Sequence, residues 1–197
     1  MQLTLLNYAS FSHSRDIDNK SLRKQVKQHY GLGVRRLDNF TLCGLATVAE
    51  MGEDIKGFSS LSLISCAQYF SIELIQQMLV DLQHNRAIKP LDFVATVGNA
   101  ANFYIAKEFS IAGSNLFVGA DKNALSKSLL LSALESQTDH QAAVLLLIWQ
   151  DTEQQRICHG MLLRQTQLQD SHYPHIADLK QLDDIAELAL PSVLSIK

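Results

Sequence analysis

The sequence predicts a layered α/β fold on three observations. Apolar runs of strand length alternate with longer segments of helical period. Of the 197 residues 47% are hydrophobic and 19% charged, enough apolar content for a packed core and unlike the composition of a disordered chain. The segment Ala142 to Trp149 is an almost unbroken apolar run, the pattern of a strand covered on both faces. This length suits one domain, or one large domain with a tail.

The elements follow in order. Leu3 to Ala9 reads as a first strand. Val34 to Met51 carries Leu37, Phe40, Leu45, Val48 and Ala49 at helical spacing, with Gly52 as a stop. Phe58 to Cys66 alternates Ser and Leu after Gly57 and predicts a second strand. Ser71 to Leu82 opens with Ser71 and Glu73 and repeats Ile72, Ile75, Leu79 and Leu82 on one face, an amphipathic helix with a capped start. Pro90 marks a loop. Asn99 to Phe109 places Phe103, Ala106 and Phe109 at helical spacing before Gly113. A short strand, Leu116 to Ala120, and a helix, Asn123 to Leu134, come next, then the buried strand at Ala142 to Trp149 and a last one at Ile157 to Arg164. Residues 1 to 170 thus form the ordered unit. Residues 171 to 197 read as a C-terminal arm, with Pro174 and Pro191 around one short amphipathic helix, Ile176 to Leu190.

Composition narrows the function. Seventeen basic and 20 acidic residues give a net charge of -3 and are well mixed, so no long-range field draws the chain to nucleic acid or an anionic membrane. The longest apolar run is far below the roughly 20 residues of a membrane span. The first residues lack the basic stretch of a secretory leader. Cys43, Cys66 and Cys158 are odd in number and widely spaced, which fits neither a disulfide framework nor a metal site and suits a reducing cytoplasm. No cofactor or metal is expected.

The most informative stretch is Asn99 to Ser128. A strand ending in Gly119 and Ala120 feeds a turn at Asp121 and Lys122 that opens a helix, the outline of a nucleophile elbow, where free N–H groups and the helix dipole would lower a thiol pKa. Asn99, Ile105-Ala106, Phe109 and Gly113 stand at offsets that resemble the β-ketoacyl synthases of the thiolase-like fold. In that family the catalytic Cys lies nine residues after the Gly, and here that position is Lys122. Val34-Arg35-Arg36-Leu37-Asp38-Asn39-Phe40 resembles the family's early Arg-Arg-(M/L)-Asp-x-(F/Y) helix start. The likeness covers roughly residues 1 to 170 and only the family's N-terminal half.

The resemblance implies a thiolase-like half, a single α-β-α subdomain with a central mixed sheet. It implies no acyl-enzyme, because the nucleophilic Cys is missing, and no decarboxylation, because the second half that carries the two His residues is absent. The chain looks like a shortened chain-length factor of a type II polyketide synthase: a pseudoenzyme pairing with a catalytic ketosynthase and served only indirectly by an acyl carrier protein. In the family the strand before the elbow pairs across the dimer axis, which assigns Asn115, Leu116, Phe117, Val118, Gly119 and Ala120 to the partner interface. Gln68, Tyr69, Phe70 and Phe93 fall where the family lines or gates its acyl tunnel, and Asn99, Gly113, Asp121 and Lys122 are the structural elbow. Two other readings stay open: a stand-alone enzyme using the Lys122 amine, and a homodimeric acyl-binding or regulatory module. Lys122 is a functional amine or a residue with no role, with Asp121 able to cap the helix. Asn99 caps its helix or holds the elbow loop. Trp149 and the Phe103/Phe109 pair read most simply as core. The basic residues Lys20, Arg23, Lys24, Lys27, Arg35 and Arg36 are a carrier-docking face or an ordinary solvated one.

Overall fold

The computed structural model describes residues 1–58, 60–70, 72–119, 122–137, 142–176 and 182–196. Its centre is a seven-stranded mixed sheet: β1 (Gln2–Ser14), β2 (Ser60–Ala67), β3 (Asn115–Val118), β4 (Ala142–Asp151), β5 (Gln155–Gln165), β6 (His175–Ile176) and β7 (Ser192–Ser195). The spatial order is β3-β2-β4-β5-β1-β7-β6. β2 is parallel to both β3 and β4, whereas β5 runs antiparallel to β4 and β1.

The expected layering is present. Along β4, Ala143, Leu145, Leu147 and Trp149 enter one core, and Val144, Leu146 and Ile148 enter the other. Because successive side chains point to opposite faces, an unbroken apolar run is what a strand covered on both sides requires. On the first face lie α1 (Asn19–Tyr30), α2 (Asn39–Glu50) and α5 (Ala100–Phe109), with α2 against β1 and β5. On the second lies α6 (Ala124–Glu135), over β2 and β4.

β1 is longer than expected because a bulge between Leu5 and Asn7 lets it continue past a change of phase. Before the bulge Leu3 and Leu5 face the α6 side; after it Ala9 and Phe11 face α2. Helix α2 starts at Asn39 rather than Val34 because the Asp38 carboxylate accepts the Thr41 N–H at 2.9 Å, an N-cap. Its Gly44 meets β4 closely, where an added Cβ would stand 2.6 Å from the Trp149 ring. Trp149 is core, stacked on Phe40 at 4.2 Å and donating its indole N–H to the Phe40 carbonyl at 3.0 Å.

One helix is additional to the expected elements, and three expectations need correction. Residues 19–30 are a helix, α1, capped by Asp18; only Leu22 and Val26 are buried along it, too few to make a period stand out. The residues after Pro90 are not a loop but a short helix, α4 (Pro90–Ala95), with Pro in its first turn, where the missing N–H costs nothing. Helix α3 (Ile72–Gln83) has the expected period, but Ile72, Ile75, Leu79 and Leu82 lie exposed instead of facing the core; Ser71, its expected cap, is outside the described residues. Between Ile176 and Leu190 the described residues form only a 3₁₀ helix, Asp183–Glu187, whose Ile185 plugs the α6-side core. Residues 192–195, beyond the expected helix, then pair with β1, from Gln2↔Ser195 to Leu5↔Ser192.

Candidate functional site

The corner between β3 and α6 is built from close backbone approaches. Gly113 precedes β3 and donates its N–H to the Leu61 carbonyl at 3.0 Å; a Cβ there would lie 2.5 Å from that same oxygen, so the position admits only glycine. β3 then pairs with β2 from Leu63↔Asn115 to Cys66↔Val118. Asn102 of α5, fully buried, accepts from the Ser65 hydroxyl at 2.6 Å and donates to the Leu116 carbonyl at 3.0 Å, tying β2 and β3 to the helix. On the opposite face the Ser128 and Ser132 hydroxyls bond back to the carbonyls of Ala124 and Ser128. Satisfied within the helix, they let α6 lie close on the strands.

Lys122 stands between the end of β3 and Asn123, the N-cap position of α6. Its side chain is exposed and has no hydrogen-bond or ion-pair partner among the described residues. Ala120 and Asp121, the other expected members of this turn, lie outside the described residues. Asn99 occupies the N-cap position of α5 without a side-chain capping bond. The side chain that holds this region together is Asn102, one turn further on. Sequence reasoning missed it because an Asn inside a helix carries no local mark of its tertiary partners.

β3 is an edge: among the described residues no strand pairs with its other side. Around it lie exposed apolar side chains, Leu116 (44%), Phe103 (59%) and Val97 (51%), with Asn115, Phe117 and Val118 half-buried and Gly119 exposed. Of the four expected gate residues, only Phe70 joins this edge. Its ring wedges between Phe40 and Phe117, each at 5.0 Å, which continues the Trp149–Phe40 stack outward to β3. Gln68 and Tyr69 are exposed at the end of β2, and Tyr69 lines a cleft of about 460 Å³ with Ile72 and Gln76 of α3. Phe93 on α4 is 63% exposed and has no ring partner among the described residues, so the four do not converge on one cavity.

A polar cluster at the far ends of β1, β4 and β5 escaped sequence reasoning, because it draws on three separate stretches of the chain, around residues 13, 38 and 151–156. Arg156 bonds Asp151 through Nε and Nη2 at 2.8 and 2.9 Å across the β4–β5 hairpin. Beside it a cleft of about 230 Å³ is lined by His13, Asp38 and Phe40. Burial pushes the Asp38 carboxyl up and the His13 imidazole down. Among the described residues no group of His, Cys, Asp or Glu could hold a metal ion, and no helix is long and apolar enough to cross a membrane.

No family model matches the chain, and no curated protein matches it. Solved structures similar in fold include two ketosynthase/chain length factor structures. One is a ketosynthase, ApeO, in complex with its chain length factor, ApeC, from Xenorhabdus doucetiae, with a TM-score of 0.57 and 13% identity over 84% of this chain and 80% of that chain. The other is the ishigamide ketosynthase/chain length factor, with a TM-score of 0.65 and 12% identity over 88% of this chain and 64% of that one. The nearly equal shares in the first match mean that the matched chain is close to this one in length. The chain therefore has the thiolase-like α/β fold of ketosynthases and chain length factors.

Proposed function

We propose that this protein is a non-catalytic, chain-length-factor-like subunit that pairs with a catalytic ketosynthase and shapes the acyl tunnel of that partner during polyketide-type chain extension. The observation that carries the reading is the open edge of β3, flanked by exposed Leu116, Phe103 and Val97. An apolar edge strand with unpaired backbone groups is an aggregation hazard unless another chain covers it, and a contiguous apolar surface marks an interaction site. Phe70, between Phe40 and Phe117, is the residue best placed to limit a tunnel running to that edge. Lys122 occupies the position of the synthase nucleophile and takes no part in chemistry; its side chain is exposed and has no hydrogen-bond or ion-pair partner among the described residues. An acyl carrier protein then enters the cycle through the partner, which performs the condensation in the cytoplasm.

Co-expression with a ketosynthase encoded beside it, followed by size-exclusion chromatography and native mass spectrometry, tests this. A one-to-one complex is expected, lost in Leu116→Arg and retained in Lys122→Ala with product length unchanged. A chain that stays monomeric and leaves the output of the synthase untouched rejects the reading, and a stable dimer of this chain alone replaces it with self-pairing at the same edge.

A further inference from the structure

Near its end β1 buries a polar side chain that the fold uses on one side only. His13 lies two residues beyond Phe11, hence on the α2 face of the sheet, and is 7% exposed. Its Nδ1 stands 2.9 Å from the Ser14 carbonyl oxygen, so Nδ1 carries the proton and donates it there. Nε2 is left as a lone-pair acceptor, buried and without a hydrogen-bond partner among the described residues. Burial lowers the pKa of the ring and keeps it neutral. A buried acceptor left unmade is costly, so the position points to a donor that comes from outside the chain.

The ring forms one wall of a cleft of about 230 Å³, lined also by Arg15, Asp38, Phe40, Leu74 and Arg156. With Nδ1 turned to the Ser14 backbone, Nε2 is the edge that the ring offers to this space. The fold holds these walls in place. His13 pairs with Arg156 across β1 and β5, Arg156 is bonded to Asp151, Asp38 caps α2, and Arg15 Nη1 donates to the Thr152 carbonyl at 3.2 Å. Phe40 is fixed by its stack on Trp149. β1 lies four strands from β3, about 19 Å at roughly 4.8 Å per strand, so the cleft stands apart from the edge assigned to pairing.

Charge and size select the ligand. Arg15 and Arg156 are matched by Asp38 and Asp151, two charges of each sign; Glu153 belongs to a neighbouring cleft that shares the two arginines. A carboxylate or phosphate entering here would meet Asp38, and an ammonium would meet both guanidinium groups, so a neutral molecule fits best. It must donate a hydrogen bond to Nε2 and accept from arginine N–H groups, which adjacent hydroxyls do together. A water's share of the liquid is about 30 Å³, so the cleft has room for roughly eight non-hydrogen atoms. From these features we infer that the cleft binds a small neutral polyol. One hydroxyl donates to His13 Nε2, its neighbours face Arg15 and Arg156, and the carbon chain rests on Phe40 and Leu74.

Erythritol, a four-carbon polyol, serves as the probe. Its controls are the corresponding acid, erythronate; the corresponding amine, 4-aminobutane-1,2,3-triol; and 1,2-dimethoxyethane, which accepts hydrogen bonds but donates none. Binding to the nitrogen-15-labelled full chain is followed by NMR at about pH 7.5 through the two ring nitrogens of His13, identified by their loss in His13→Phe. Without ligand Nδ1 should resonate as a protonated nitrogen and Nε2 as an unprotonated one. Erythritol should move Nε2 toward the protonated value, saturably, with a midpoint no higher than about 20 mM for a ligand of this size. Each control should bind about tenfold more weakly, the worth of one hydrogen bond or one unmatched charge. His13→Phe keeps a ring in the wall and should weaken erythritol by about tenfold, read from backbone amide shifts, with a circular dichroism melt to confirm the fold. Where that variant does not fold, the Nε2 shift of the unaltered chain decides. An Nε2 signal indifferent to every probe leaves the nitrogen to water and overturns the inference. So does equal binding of 1,2-dimethoxyethane, tighter binding of the acid or the amine, or unchanged erythritol binding in a folded His13→Phe.

Discussion

Removing the Asp170 carboxylate should be among the most damaging single changes to this fold. Asp170 is fully buried in the turn after β5 and receives four hydrogen bonds. Arg164 donates through Nη1 and Nη2 at 2.8 and 2.7 Å, the Thr4 hydroxyl at 2.8 Å and the Gln167 N–H at 2.8 Å. The cluster therefore clamps β1 to β5 and to the turn that leads into β6. In Asp170→Ala the arginine, whose side chain is 14% exposed, keeps its charge and loses its counterion, while Thr4 and Gln167 lose this acceptor. Breaking a buried pair from one side costs about 3–5 kcal/mol. Since water can reach the arginine edge, the lower end, about 3 kcal/mol, is expected, which for a chain of this size lowers Tm by roughly 6–12 °C. Circular dichroism melts at pH 7 measure it. A loss of less than about 2 °C would show that the clamp contributes nothing and would refute the reasoning. The effect has a defined pH window. Burial alone would raise the Asp170 pKa, but the Arg164 ion pair and the donors from Gln167 and Thr4 outweigh it and hold the pKa below the ordinary carboxylate value. Such a group stabilises the fold above its unfolded pKa, about 3.9, and the contribution fades as pH falls from there through the lower folded value. The gap between wild type and variant should therefore be constant from pH 7 to about pH 5 and close only below about pH 4.

Three further outcomes follow from the packing. Asn102→Ala removes both ties between α5 and the β2–β3 pair and leaves the Ser65 hydroxyl without that acceptor, so about 1–3 kcal/mol should be lost in urea titration, with faster hydrogen exchange at Leu116 than elsewhere in the sheet. Gly44→Ala places a methyl 2.6 Å from the Trp149 ring and 2.8 Å from Ile105, and the overpacking should cost about 1–3 kcal/mol with a change in tryptophan fluorescence. The three thiols are buried, and burial pushes Cys43 up to about 12 and Cys66 up to about 11; a disulfide reagent at pH 8 should label none of the three in the native state and all of them in 6 M guanidinium.

The sequence made legible what a single element decides by itself. The Ala142 to Trp149 run reads as a strand with cover on both faces, and β4 has that cover. It did not reveal what depends on distant partners. The stripe at Ile72, Ile75, Leu79 and Leu82 establishes that α3 has an apolar side, but a period cannot say whether the cover comes from this chain, and among the described residues it does not. Residues 192–195 carry a short apolar pattern that only the neighbouring β1 converts into a strand. Asn102 drew no attention for the same reason, since its partners, Ser65 and Leu116, lie 37 and 14 residues away. α1 was overlooked because four cations and two buried residues resemble a solvated segment until Gly31 folds it onto α2.

The pairing of β1 has a consequence for how a newly made chain reaches this structure. In chain order β1 precedes every other described element, yet its neighbours are β5, reached at residue 155, and β7, reached at residue 192. Loop closure over such separations is slow, so β1 must wait, with Leu3 and Leu5 uncovered, while α2, β2 and β4 are still being synthesised. Completion of the sheet is thus a late step of folding. A chaperone that shields the N-terminal strand in the interval would raise the yield of folded protein more than one acting on any other segment.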